Sequence, residues 1–116
     1  MISKTLSAAS LKPFVLSILA EEESYGYEII QKVHRLTNGE IKWAAGTLYP
    51  LLHTLEHKGL ITSYEGASTE GPGPKRKYYR LTPKGQKALE IEKQQWLNIH
   101  EAFLKLWGPS PSLSSI

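Results

Sequence analysis

Apolar positions recur at helical spacing in three stretches before residue 60. They alternate as in strands just after it, and return to helical spacing in the last third of the chain. The first stretch predicts a helix over Leu11–Glu21, with Leu11, Val15, Ile18 and Leu19 on one face. Pro13 fits its first turn, where a missing N–H does little harm. The acidic run Glu21–Glu23 precedes a second helix, with Ser24 as its N-cap and Ile29, Ile30, Val33 and Leu36 as its buried stripe. Asn38-Gly39 supplies its stop. Glu40–Trp43 reads as short and extended. A third helix follows over Thr47–Lys58, gathering Leu48, Leu51, Leu52 and Leu55 on one face. With Thr47 as N-cap, Pro50 falls in the first turn, and Gly59 ends the helix.

Leu60–Gly66 and Lys75–Leu81 are strand-like, and the Gly- and Pro-rich residues 67–74 between them make a hairpin whose tip is Gly71–Pro74. Thr82-Pro83 then opens the longest helix, with Thr as N-cap and Pro at the first helical position, running to Trp107. On a helical wheel Leu89, Trp96, Ile99, Phe103, Leu106 and Trp107 share one broad stripe, with Leu97 and Leu104 well off it. A helix with two apolar faces has two things to pack against. The domain supplies one, and a second copy of the chain is the expected other. Residues 108–116, rich in Pro and Ser, form a tail expected to be extended or disordered.

At 116 residues the chain is long enough for one core and too short for two. It contains no cysteine, which excludes disulfides, thiolate metal sites and a cysteine nucleophile. No apolar run is long enough to cross a membrane, and the first residues lack the core of a signal peptide. The expectation is a cytoplasmic protein without a membrane partner. The net charge of +3 is mild, but its distribution is not. Lys75, Arg76, Lys77, Arg80, Lys84 and Lys87 lie together with no acid among them, while the remaining residues carry eight bases against eleven acids. Such a segment is either a solvated loop or a directed positive surface.

The order of elements decides between these. Three helices, a basic hairpin and a long apolar helix define a mainly α (α+β) fold: a winged helix-turn-helix with a two-stranded wing and a long C-terminal dimerisation helix. Residues 1–82 are the expected DNA-binding domain, 83–107 the dimerisation helix and 108–116 a flexible tail. Opposite its leucines, the third helix carries Gly46, Pro50, His53, Thr54 and His57, with Tyr49 at the edge. That face is compact and polar, as a helix entering the major groove of double-stranded DNA must be. With Thr47, its N-terminal amides can hold a phosphate. Lys75, Arg76 and Lys77 on the wing would neutralise phosphates, giving affinity and salt dependence rather than sequence choice.

The stretches Tyr25-Gly26-Tyr27-Glu28-Ile29, Gly46-Thr47-Leu48-Tyr49-Pro50-Leu51-Leu52, Leu55-Glu56-His57-Lys58-Gly59-Leu60-Ile61 and Arg76-Lys77-Tyr78-Tyr79-Arg80-Leu81-Thr82, with Gly85, resemble the PadR family of bacterial transcriptional regulators. The resemblance spans residues 11–107. It implies a homodimeric winged-helix repressor of the compact branch, which has a single C-terminal helix, acting at a pseudo-palindromic promoter site. Relatives often carry a capping or phosphate-binding residue just before the Gly-Thr-Leu-Tyr motif. Ala44 and Ala45 stand there in this chain, which leaves any such side-chain contact without a donor.

Other readings compete at several residues. His53-Thr54-Leu55-Glu56-His57 matches a zinc-peptidase motif, but a third ligand and a cleft are missing from the pattern. Histidines facing DNA or solvent are the simpler reading, so neither an enzyme nor a cofactor is expected. Tyr25 and Tyr49 are candidates for the DNA backbone, and Tyr79 for packing. Trp96 near a two-fold axis is either interface core or, with Glu92 and Ile99, one side of a site for a small aromatic effector, as the resemblance also implies. The dimer stripe is Leu89, Trp96, Ile99, Phe103, Leu106 and Trp107. A dimeric ligand-binding or protein-interaction module on the same fold, without DNA, is the alternative. Neutral residues in place of the basic strand would have favoured it.

Overall fold

The computed structural model describes residues 1–66 and 75–108. Helix α1 (Lys4–Glu21) is followed by a short strand β1 (Ser24–Tyr25), then α2 (Gly26–Leu36) and α3 (Ala45–His57). A hairpin of β2 (Ile61–Gly66) and β3 (Arg76–Leu81) leads into α4 (Pro83–Trp107). The sheet is antiparallel in the order β1-β3-β2. This is the winged helix-turn-helix the pattern predicts. Its wing hairpin gains a third strand at the base, because Ser24 and Tyr25 pair with Tyr79 and Tyr78. The hairpin tip and residues 109–116 of the tail lie outside the described residues.

Three helix starts differ from expectation. Helix α1 begins at Lys4, seven residues early, because the Ser3 hydroxyl accepts the Leu6 N–H and caps it. Pro13 therefore sits inside the helix. Tertiary contact holds the extra turns: the Trp43 indole donates to Ser7 Oγ at 3.1 Å, and Phe14 meets the Trp43 ring edge-on at 5.8 Å. Ser24 does not cap α2, because its backbone pairs in the sheet while its buried hydroxyl donates to the Glu28 carboxylate. Thr47 does not cap α3. Ala44 holds the cap position with extended backbone and no side-chain acceptor, placing Pro50 in the second turn.

The stops follow the sequence closely. Asn38 takes a left-handed φ of 53°, and the Gly39 N–H closes onto the His34 carbonyl at 2.7 Å. Gly59, at φ 75°, lets the Leu60 N–H reach the Leu55 carbonyl at 3.0 Å. Thr82 caps α4 through the Gly85 N–H, with Pro83 at the first helical position.

The core lies between α1, α2, α3 and the inner sheet face. Val15, Leu16, Ile29, Val33, Leu48, Leu52 and Ile61 are among its most buried members. Leu36, expected in the stripe of α2, is instead 66% exposed. Helix α4 contributes only Gly85 and Leu89 as buried residues, and its first half runs beside α1, where Glu92 pairs with Lys12.

Candidate nucleic-acid interface

On α3 the apolar spacing turns Leu48, Leu52 and Leu55 inward. Gly46, Thr47, Tyr49, Pro50, His53, Thr54 and His57 are consequently all exposed on the other side. The Thr54 hydroxyl is spent on its own helix, donating to the Pro50 carbonyl at 3.0 Å. At the N-terminus of α3 no side chain caps the helix, so its first amides carry the positive end of the helix dipole to an exposed surface.

Tyr49 joins α3 to α2. Its ring crosses the first residue of α2, where a Cβ on Gly26 would come within 2.6 Å of Tyr49 Cζ. Only glycine leaves room for this crossing. The Tyr79 phenol is buried nearby, and that burial pushes its pKa above the usual value, with Tyr49 and Glu56 pushing the same way.

The wing divides the bases that the sequence grouped together. Side chains alternate along β3, so Lys77 and Tyr79 face inward while Arg76, Tyr78 and Arg80 face outward. Lys77 reaches α3, with its ammonium 3.8 Å from the Glu56 carboxylate and 5.6 Å from the centre of the Tyr79 ring. The Ser63 hydroxyl also donates to Glu56. Arg76 lies on the opposite sheet face, its guanidinium 4.4 Å above the Tyr25 ring. Tyr25 meets Tyr78 edge-on at 5.5 Å, Tyr78 stacks on Tyr64 at 5.7 Å, and Arg80 lies 4.7 Å over Tyr64 while pairing with Glu23 at 3.3 Å. Tyr25 and Arg76 thus belong to a ladder on the outer face of the sheet, apart from α3. Lys75 is exposed just before β3. The sequence reading missed this ladder, although the period-two spacing of Arg76, Tyr78 and Arg80 announces it.

Glu56 also bears on the peptidase motif. Its carboxylate is turned to the wing and engaged there by Ser63 and Lys77, away from any joint site with His53 and His57. Among the described residues, no group of three or more His, Asp or Glu is placed to hold a metal ion. Nor is any helix long and apolar enough to cross a membrane.

Beyond Leu89, which is 6% exposed and belongs to the domain's own core, the α4 stripe is open. Leu106 and Trp107 are 79% and 74% exposed, and Phe103 stacks on Trp107 at 4.4 Å. Glu92 pairs with Lys12 of α1 at 3.8 Å. Trp96 lines a groove of about 700 Å³ together with Pro13, Phe14, Ile18, Leu36, Lys32 and Arg35.

A polar helix presented beside a basic wing, on this order of elements, defines a winged-helix transcriptional regulator that binds DNA. Residues 15–91 match the family model described as the transcriptional regulator PadR-like family. The chain belongs to that family, whose members are regulators and not enzymes. A PadR-like transcriptional regulator from Bacillus cereus superposes with a TM-score of 0.78 at 33% identity, over 92% of this chain and all of that one. A transcriptional regulator from Clostridium thermocellum superposes at 0.79 and 30% identity, over 94% of this chain and 100% of the other. The Escherichia coli transcriptional regulator YqjI is 35% identical over 91 residues, which is 78% of this chain but 41% of YqjI.

Proposed function

We propose that the protein is a homodimeric repressor that binds a pseudo-palindromic promoter site in the cytoplasm. The observation that carries this reading is the exposed face of α3 from Gly46 to His57, uncapped at its N-terminus and with Lys77 of the wing reaching its Glu56. Helix α3 enters the major groove. Pro50, His53 and His57 meet base edges, while Thr47, Tyr49 and the free amides around Gly46 hold phosphates. Lys75 and Lys77 add phosphate contacts beside it. Tyr25 and Arg76, on the outer sheet face, act from the flank of the wing, with the Tyr25 ring holding the guanidinium in place. Thr54 contributes shape, since its hydroxyl is already bonded within the helix.

The dimer forms through α4. Trp96, Ile99, Phe103, Leu106 and Trp107 present a continuous apolar surface, and exposed patches of this kind mark association sites. Leu89 anchors the same stripe to its own domain. The groove beside Trp96 supports a further step, in which a small aromatic effector binds between the two Trp96 rings near Ile99 and Glu92. Such a ligand releases the DNA by changing the separation of the two α3 helices. The test is a mobility-shift titration with genomic promoter fragments across a salt series. Specific binding that weakens steeply with salt supports the reading, and binding of no fragment at low salt overturns it.

A further inference from the structure

The first turn of α4 is built from residues that serve that helix badly. Lys84 places a positive charge at the positive end of the α4 dipole, and Gly85 is a poor helix former in the turn that follows the cap. Residues that break a local rule are expected to answer to something outside their own element. Here that is the end of α3. The Lys84 ammonium donates to the Lys58 carbonyl at 2.9 Å, at the negative end of the α3 dipole. The Thr82 hydroxyl points its one proton at the Gly59 and Leu60 carbonyls, at 2.6 and 3.0 Å, and the Thr82 N–H reaches the Leu60 carbonyl at 3.1 Å. Gly85 lets the two backbones meet. A Cβ there would lie 2.9 Å from the Leu60 carbonyl carbon and 2.7 Å from Leu81 Cδ1. Three successive carbonyls just past α3 are therefore held by the first turn of α4.

We infer that Thr82, Lys84 and Gly85 form a positioning joint that fixes the angle between α3 and α4. In a dimer held together through α4, that angle sets the distance between the two recognition helices. The joint therefore determines which half-site separation the protein accepts. This rests on the dimeric operator reading above, and it assigns spacing selectivity to residues that touch neither bases nor the partner copy.

The test uses the full-length protein and duplexes carrying two copies of its selected half-site, at the native separation and at separations changed by one and two base pairs. A duplex with a single half-site is the control. The wild type is expected to prefer the native separation by about tenfold or more, within the usual range of coupling between sites. Lys84→Met keeps the apolar stem and removes an unfavourable charge from α4, so the variant folds. It is expected to bind the single half-site within about twofold of wild type while its spacing preference falls to about threefold or less. Lys84→Arg, which can still donate to the Lys58 carbonyl, restores the preference. Gly85→Ala shows the same loss of preference together with a lower melting temperature. A uniform loss of affinity at every separation in Lys84→Met would make Lys84 a phosphate contact and overturn the proposal. A sharp optimum retained in Lys84→Met would also overturn it, leaving the operator reading intact. A wild type with no optimum overturns the operator reading and this inference with it.

Discussion

The ring of Tyr49 on α3 crosses the backbone of Gly26 at the head of α2, so closely that a methyl group on residue 26 would overlap Tyr49 Cζ. The two helices of the helix-turn-helix thus meet at this point through the smallest residue and one of the largest. On helix propensity alone Gly26→Ala would stabilise the protein by ~0.5–1 kcal/mol. The crossing works against that gain, because the methyl would displace the outer end of the exposed Tyr49 ring. The unfolding free energy measured in denaturant is expected to change by less than ~1 kcal/mol, while the proposed DNA binding weakens as Tyr49 moves.

The Glu56 carboxylate holds Lys77 against α3, and both side chains are partly exposed. Such a pair contributes little to stability, about 1 kcal/mol or less. Its effect on binding is expected to be larger, because in the proposed complex Glu56 would compete with phosphate for the lysine. Glu56→Gln is expected to keep the Ser63 contact, leave the unfolding midpoint nearly unchanged and tighten DNA binding several-fold. Lys77→Ala is expected to weaken binding to all sequences alike and reduce the slope of log K against log salt by ~0.9 per half-site, ~1.8 for the dimer. Anisotropy titrations across a salt series measure both.

Burial raises the Tyr79 pKa above its ordinary value of 10.0. The neutral phenol is the form the fold accepts. Its contribution to stability is therefore fully present below the ordinary pKa, and it is lost as pH rises through the higher folded value. Unfolding free energy should hold level up to about pH 9 and fall above 10. Tyr79→Phe should flatten that alkaline limb.

Much of this was legible in the sequence, and the reason is chemical locality. The stops at Asn38-Gly39 and Gly59 and the Thr82-Pro83 start depend on residues within a turn of each other, and all three stand as read. What was hidden depends on distant partners. The early turns of α1 lean on Trp43, 36 residues from Ser7. Strand β1 is two residues long and exists only because Tyr78 and Tyr79 come to meet it. The start of α3 was misplaced because proline suggested a first turn, whereas packing of Leu48 and Leu52 carries the helix through it. The polar face of α3 was read correctly from its leucines. The separation of Arg76 from Lys77 arises across the pleat of β3, where no count of charge along the chain can show it.

The open stripe on α4 gives a simple expectation about assembly. Leu106→Glu places a charge where the isolated chain has only solvent, so each protomer should keep its fold. The dimer should not survive. Sedimentation equilibrium should show wild-type protein at twice the chain mass and the variant at the chain mass, with an unchanged far-ultraviolet spectrum.

Selection of DNA fragments from the source genome by the purified protein, at near-physiological salt, tests the operator-binding dimer most directly. An inverted repeat should be enriched, with two half-sites about one helical turn apart, and the enrichment should disappear when His53 and His57 are both replaced by alanine. Enrichment of a motif without two-fold symmetry, or equal recovery of all fragments by wild type and variant, would contradict a dimer that reads DNA through α3.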